Sequence, residues 1–317
     1  MIKQSKKLPT QKGQQVMNLT EDQARAYFEA QRWPDGPGCV HCGSVNVYRL
    51  GGKSQRPGLF ECRDCKLNFT VTVGTVMEDS HLPLSTWAKA FHLMASSKKG
   101  ISALQLQRQL GLGSYKTAWH LAHRIRAAMS PSPSADKLKG DVQVDETYVG
   151  ANRRSKNWDG IPRKRGRGTT KVPVMALVET GGNVRAQLMP GYTVQDVRDV
   201  ITKHVDTSAR IVTDEMSAYP SATDGYEGGH STVKHKIGQY VNPDGLNTNT
   251  AESYFALLKR GIHGSFHHVS KKHLHRYCDE FSFRWNGRKL EDTMRRDAAV
   301  RGSEGKRLMF YQPVGNA

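Results

Sequence analysis

The sequence predicts an α/β protein in which a mixed-sheet domain follows a small cysteine-bearing β module and a helical region. Three observations predict it. Cys39-Val-His-Cys42 and Cys62-Arg-Asp-Cys65 form two C-x2-C pairs separated by 19 residues, flanked by short β-rich stretches. Two helical patterns meet at Gly111-Leu-Gly113. Beyond the linker Ser130-Pro-Ser-Pro-Ser134, strand-like alternation interleaves with helical periodicity.

The cysteine spacing is that of a zinc ribbon. Thiolates are soft anions that suit Zn²⁺, and two knuckles satisfy a closed tetrahedral, structural site. Cys39, Cys42, Cys62 and Cys65 are the expected zinc ligands, and Gly43 supplies turn freedom at the first knuckle. Only one further cysteine, Cys278, exists in the chain. A short helix is expected near Thr20–Ala30, with strands at Tyr48–Leu50 and Phe69–Val73.

In the helical region, Ser102-Ala-Leu-Gln105 has the pattern of a capping box, and Ser114 can cap a second helix. On that helix Tyr115, Ala118, Ala122, Ile125 and Met129 form an apolar stripe, with Lys116, His120, His123 and Arg124 away from it. A basic outer face on the second of two short helices resembles a helix-turn-helix, with Lys116, His120 and Arg124 as candidate DNA contacts. An ordinary helical hairpin packed on the following domain would show the same pattern.

After the linker, Val142–Val149, Lys171–Glu179 and Asn183–Met189 are expected strands, Thr193–His204 a helix, and Arg210–Thr213 a short buried strand. A further helix, a strand around Thr232–Lys236 and a helix from Asn249 complete the order. That succession is expected of a mixed sheet with a ribonuclease-H-like plan. The expected division is 1–80 (ribbon region), 81–130 (helical DNA-binding region), 138–290 (catalytic domain) and 291–317 (C-terminal tail).

The formal charge of +18 makes the chain a polycation, for which nucleic acid is the default partner. Asn152–Lys171 carries eight Lys or Arg against one Asp. It is expected to order on DNA, with Arg163, Lys164 and Arg165 as candidate contacts. No run of about 18 apolar residues and no signal-peptide pattern occurs, so a cytoplasmic protein with no membrane partner is expected. Neither a P-loop nor a G-x-G-x-x-G pattern is present.

Three carboxylates stand out by position. Asp145 lies within the first expected strand, Asp214 follows the fourth, and Glu252 opens the late helix, with 37 residues between it and Asp214. In a sheet of this order the first and fourth strands are neighbours, so Asp145 and Asp214 converge and the helix brings Glu252 alongside. Clustered carboxylates demand neutralising cations, and oxygen-only ligands favour Mg²⁺ or Mn²⁺. Two such ions suit in-line phosphodiester displacement. Each acid also has an ordinary explanation: Asp145 and Asp214 as turn formers, Glu252 as the closing residue of a capping box, Asn249-Thr-Ala-Glu252. Lys259, seven residues past Glu252, shares its helical face and can grip a phosphate.

The stretches Gln143–Gly150, Val212–Tyr219 and Asn247–Lys259 resemble the catalytic blocks of bacterial insertion-sequence DDE transposases. The ISXO-like group, which pairs such a domain with an N-terminal zinc ribbon, fits best. The resemblance spans about residues 25–290. It implies a ribonuclease-H-like core, Asp145, Asp214 and Glu252 as the catalytic, magnesium-binding triad, and Lys259 as a DNA contact. It further implies cleavage at element ends and transfer of a 3′-hydroxyl to target DNA. The partners would be the terminal inverted repeats and target duplex, in a nucleoid-associated bacterial protein. Joining two ends requires at least a homodimer. A non-enzymatic zinc-ribbon and helix-turn-helix regulator, or a ribonuclease-H-like nuclease, would share much of the pattern.

His263, His267, His268, His273 and His275 crowd with Cys278 into 16 residues. Without an H-E-x-x-H, and with Ser270–Trp285 forming an amphipathic helix, a basic DNA-facing or packing role is expected for them.

Overall fold

The computed structural model describes residues 13–52, 55–132, 135–150, 171–233, 241 and 245–314. It separates into two compact units, Met1–Ser130 with Lys289–Ala317, and Pro131–Arg288.

The first unit begins with α1 (Gly13–Val16) and α2 (Glu21–Arg32). Thr20 caps α2 through the reciprocal Thr20/Gln23 capping box, and Ala24, Tyr27 and Phe28 face inward. Three short antiparallel strands follow, β1 (Val47–Arg49), β2 (Phe60–Cys62) and β3 (Asn68–Phe69). Strand structure beyond Phe69 is replaced by turns, so the β-rich stretch is shorter than its composition suggests. Phe60 stacks on Phe69, and Trp33 packs edge-on against both rings. So small a sheet cannot bury enough apolar surface alone, and this aromatic cluster with the cysteines supplies its core.

Three helices then form the body: α3 (Leu84–Ser96), α4 (Ala103–Leu110) and α5 (Tyr115–Met129). Ser102 and Ser114 accept backbone N–H bonds as N-caps of α4 and α5, and Gly111 ends α4 in the left-handed conformation (φ 63°). Trp87, Phe91, Met94, Leu106, Leu121 and Ile125 fill the interior.

The described residues 291–314 belong to the first unit. There α10 (Asp292–Arg301) packs on α2, α3 and α5, followed by the short α11 (Tyr311–Val314). Its charge pattern hides this, because two of its charges are spent inside. Arg296 is fully buried, and its Nε donates to Asp297 Oδ1 at 2.8 Å and to Tyr27 Oη at 2.9 Å. The Tyr27 hydroxyl donates to the same carboxylate at 2.6 Å. Burial, then the Asp297 charge, holds the Tyr27 phenol well above its ordinary pKa.

The second unit holds a five-stranded mixed sheet of β4 (Asp141–Val149), β5 (Val172–Glu179), β6 (Val184–Leu188), β7 (Arg210–Thr213) and β8 (His230–Thr232). The spatial order is β6-β5-β4-β7-β8. The first three strands are antiparallel neighbours, while β4, β7 and β8 run parallel. One face packs Val142, Val144, Met175 and Leu177 against α6 (Val194–His204) and α7 (Tyr219–Ala222). The other packs Val174, Ala176 and Val178 against α8 (Asn249–Gly261) and α9 (Leu274–Asn286). Alternation along β4 assigns successive residues to opposite faces, and the buried Val142 and Val144 fix its register. This is the mixed α/β sheet foreseen from the element order, with the first and fourth strands adjacent. Between α8 and α9 lie a π-turn at Ile262–Phe266 and a 3₁₀ turn at Lys271–His273.

Candidate active site and metal centre

The four cysteine sulfurs lie within 4.8 Å of one another, and all are free thiols. The Cys39–Cys65 and Cys42–Cys62 sulfur separations are 3.6 and 3.7 Å. A tetrahedral zinc with Zn–S bonds near 2.3 Å needs sulfur–sulfur edges of about 3.8 Å, so the site fits that ion. The two knuckles repeat one backbone pattern. Gly43 N–H donates to Cys39 O and Lys66 N–H to Cys62 O, both at 2.9 Å. Gly43 (φ 77°) and Lys66 (φ 62°) both take the left-handed conformation, the lysine at a steric cost that glycine avoids. The ribbon is closed by Ser44 and Asn46, which donate to the Asp64 carboxylate across the two knuckles.

In the second unit, Asp145 sits on β4 on the face that carries α8, two residues from Gln143 and adjacent to Glu146. Asp214 follows the last residue of β7. Gln143 pairs with Val212 in the parallel β4–β7 ladder, and continuing that register brings Asp145 level with Asp214. At the far end of the ladder Arg210 holds Asp141 with two bonds of 2.7 and 3.0 Å, which pins the register. Glu252 is exposed in the first turn of α8. Asp145 is the perturbed group. Burial, then the Glu146 charge, raises its carboxyl to about 7, with Asp214 and Glu252 adding repulsion. Its Oδ1 accepts from the Glu146 N–H at 2.8 Å, and Asp214 Oδ1 accepts from the Met216 N–H at 3.0 Å. Among the described residues the four cysteines are the one group of three or more His, Cys, Asp or Glu side chains close enough to share a metal ion.

The ordinary explanation of Glu252 fails in detail. The N-cap of α8 is Thr248, not Asn249, and it makes no side-chain cap bond. Instead Gln143 Oε1 accepts from Thr250 N–H at 3.0 Å and Ala251 N–H at 3.2 Å. Gln143 was not among the residues singled out from sequence. Its signal was a polar side chain between Val142 and Val144 in the expected strand. Tyr219, whose hydroxyl donates to Glu146 Oε2 at 2.6 Å, was also not singled out, because its partner lies 73 residues away in the chain.

Lys259 is exposed on α8. Lys116 is exposed in the first turn of α5. The expected basic outer face of α5 ends there. His120 is half-buried with Nε2 3.2 Å from Leu308 O, and Arg124 is buried, donating to Glu78 O with its guanidinium 5.2 Å from the Trp87 ring. His123 is fully buried against Trp119, whereas Tyr115, placed in the apolar stripe, is half exposed. The physical reason is that α5 is packed by α3, α4 and α10 together, leaving its first turn outside. Arg163, Lys164 and Arg165, with the basic run around them up to Thr170, lie outside the described residues. His263, His267, His268 and His275 are exposed, and none joins a metal-ligating group among the described residues. Cys278 is buried between α9 and its neighbours, where burial pushes its thiol well above the ordinary range.

No described helix is long and apolar enough to cross a membrane. The ISXO2-like transposase domain matches residues 137–286, which covers the mixed sheet and its helices, and the transposase zinc-ribbon domain matches residues 19–68. A protein in transposable element ISH50 of Halobacterium salinarum is 30% identical over 279 residues, covering 84% of this chain and 91% of that relative. With ribbon and sheet domain both matched in that order, and a relative similar over nearly its whole length, the chain belongs to the ISXO2-like transposases of insertion sequences.

Proposed function

We propose that the protein cleaves the ends of its mobile element and joins them to target DNA, with Asp145, Asp214 and Glu252 as the catalytic carboxylates of a ribonuclease-H-like domain. The observation that carries this reading is the placement of three acids: Asp145 on β4, Asp214 level with it at the end of the neighbouring β7, and Glu252 in the first turn of α8, whose opening amides are bonded by Gln143 of β4. Such a set is all oxygen, half-buried at Asp145 and Asp214, and suited to hard divalent cations such as Mg²⁺ or Mn²⁺. When bound, these ions would supply Lewis-acid activation and charge neutralisation for phosphodiester displacement.

The chain's own part is positional. The three carboxylates orient the scissile phosphodiester and its nucleophile, and Lys259, on the helix of Glu252, meets a neighbouring phosphate. In the first step a water oxygen bonds to phosphorus, the bond to the 3′-oxygen breaks, and that oxygen leaves as a 3′-hydroxyl beside a 5′-phosphate. In the second step this hydroxyl bonds to a target phosphorus while the target's own 3′-oxygen departs. The unit containing the zinc ribbon and α3–α5 recognises the terminal inverted repeats, with Lys116 at the exposed start of α5 on a phosphate. At least two copies act together, because two ends must be joined. The Arg163–Arg165 run is assigned to DNA contact by its charge.

The test is incubation of an end-bearing duplex with Mg²⁺, followed on a denaturing gel. Wild-type protein should give nicked and joined products, and Asp145→Asn should give neither while shifting the duplex in a binding assay. Wild-type cleavage without joined products would assign a nuclease instead, and unchanged cleavage by Asp145→Asn would remove the triad.

A further inference from the structure

Strand β4 carries more than Asp145. Its side chains reach both other acid-bearing elements, from opposite faces of the sheet. On one face Gln143 is buried, 3% exposed, with Oε1 accepting the Thr250 and Ala251 N–H groups. A helix start leaves its first amide donors without intrahelical partners, and a local Ser, Thr, Asn or Asp usually takes them. Here Thr248 makes no such bond. The capping acceptor comes instead from a strand 107 residues earlier in the chain, two positions from Asp145. The bonded amides immediately precede Glu252.

On the opposite face Glu146 Oε2 accepts from the fully buried Tyr219 hydroxyl at 2.6 Å. Tyr219 opens α7, five residues after Asp214. The segment between them is tightened further by the Met216 N–H on Asp214 Oδ1. Asp145 thus lies between two polar ties, one to the element of Glu252 and one to the element of Asp214.

We propose that Gln143 and Glu146, the latter through Tyr219, are positioning residues that hold Glu252 and Asp214 at the distance from Asp145 that divalent-cation binding requires. This rests on the triad reading above. Both ties act through another group and contact neither DNA nor the reacting atoms. Outer partners of metal-binding groups typically alter affinity by about 10–100-fold when removed.

The test uses the full zinc-loaded chain and Mn²⁺ alone, titrated by electron paramagnetic resonance of the free ion. The variants are Gln143→Met, which keeps length but loses the acceptor, and Tyr219→Phe, which loses the hydroxyl donor. Asn286→Leu is the control. Its side chain makes a comparable cross-element tie, to Val184 N–H at 2.7 Å and Val184 O at 3.2 Å, on β6 and away from the acids. The expected result is a Mn²⁺ half-saturation raised about tenfold or more in Gln143→Met and in Tyr219→Phe, against no change in Asn286→Leu. Equal weakening in all three, or wild-type Mn²⁺ affinity in a folded Gln143→Met, overturns the proposal. If Gln143→Met does not fold, Tyr219→Phe against Asn286→Leu decides alone. Asp145→Asn separates the two levels. Mn²⁺ binding unaffected by Asp145→Asn defeats the triad itself, whereas binding lost in Asp145→Asn but intact in both Gln143→Met and Tyr219→Phe defeats only the ties.

Discussion

Asp145→Asn should make the metal-free protein more stable, and increasingly so as pH rises. The carboxyl titrates near 7 in the folded chain, raised first by burial and then by Glu146, Asp214 and Glu252. In the unfolded chain it titrates near about 3.9. Between those values the folded state holds a proton that the unfolded state has lost, so stability falls as pH rises, and the penalty is complete above about 7. At 1.36 kcal/mol per pH unit the penalty is about 1.5 kcal/mol at pH 5 and about 4 kcal/mol at pH 8. Asparagine carries no such charge, and its Oδ1 can keep the Glu146 N–H bond. The gain of Asp145→Asn over wild type should therefore grow by about 2–3 kcal/mol between pH 5 and pH 8. Amide exchange of β4–β5 peptides by mass spectrometry reads this within the second unit, and comparison at equal pH cancels the intrinsic exchange rate. The buffer must lack divalent ions and also lack chelator, which would strip the cysteine site. A gain that is the same at pH 5 and pH 8, or an asparagine variant less protected at pH 8, would refute the electrostatic reasoning.

Gly261→Ala should destabilise the second unit by about 1–3 kcal/mol, because an added Cβ would lie 2.0 Å from Phe281 Cζ. Urea unfolding measures this, and Phe281→Leu in the same chain should recover part of the loss. Cys62→Ser should lower bound zinc from one ion per chain to none by elemental analysis and abolish amide protection in β1–β3. Tyr27→Phe leaves the buried Arg296–Asp297 pair one partner short and should cost the first unit about 1–3 kcal/mol in thermal unfolding. Lys259→Ala should weaken DNA binding uniformly across sequences and reduce the slope of log affinity against log salt by about 0.9.

Sequence alone determined the features whose causes are local. The cysteine spacing selects a zinc ribbon because four soft ligands on two short turns admit little else, and the sulfurs do converge. Alternation in Val142–Val149 and the caps at Ser102 and Ser114 declare their elements because strand pleat and helix ends are read within a few residues. The three acids stood out by their places in that order. Tertiary structure decided what depends on a partner far along the chain. Gln143 caps a helix 107 residues away, Tyr27 shares a proton network with Asp297 across 270 residues, and Arg124 turns inward because α3, α4 and α10 leave it no outer face. Each of these side chains is polar, so its own periodicity assigns it to solvent. Only packing of the surrounding elements supplies the partner that makes burying a polar group affordable.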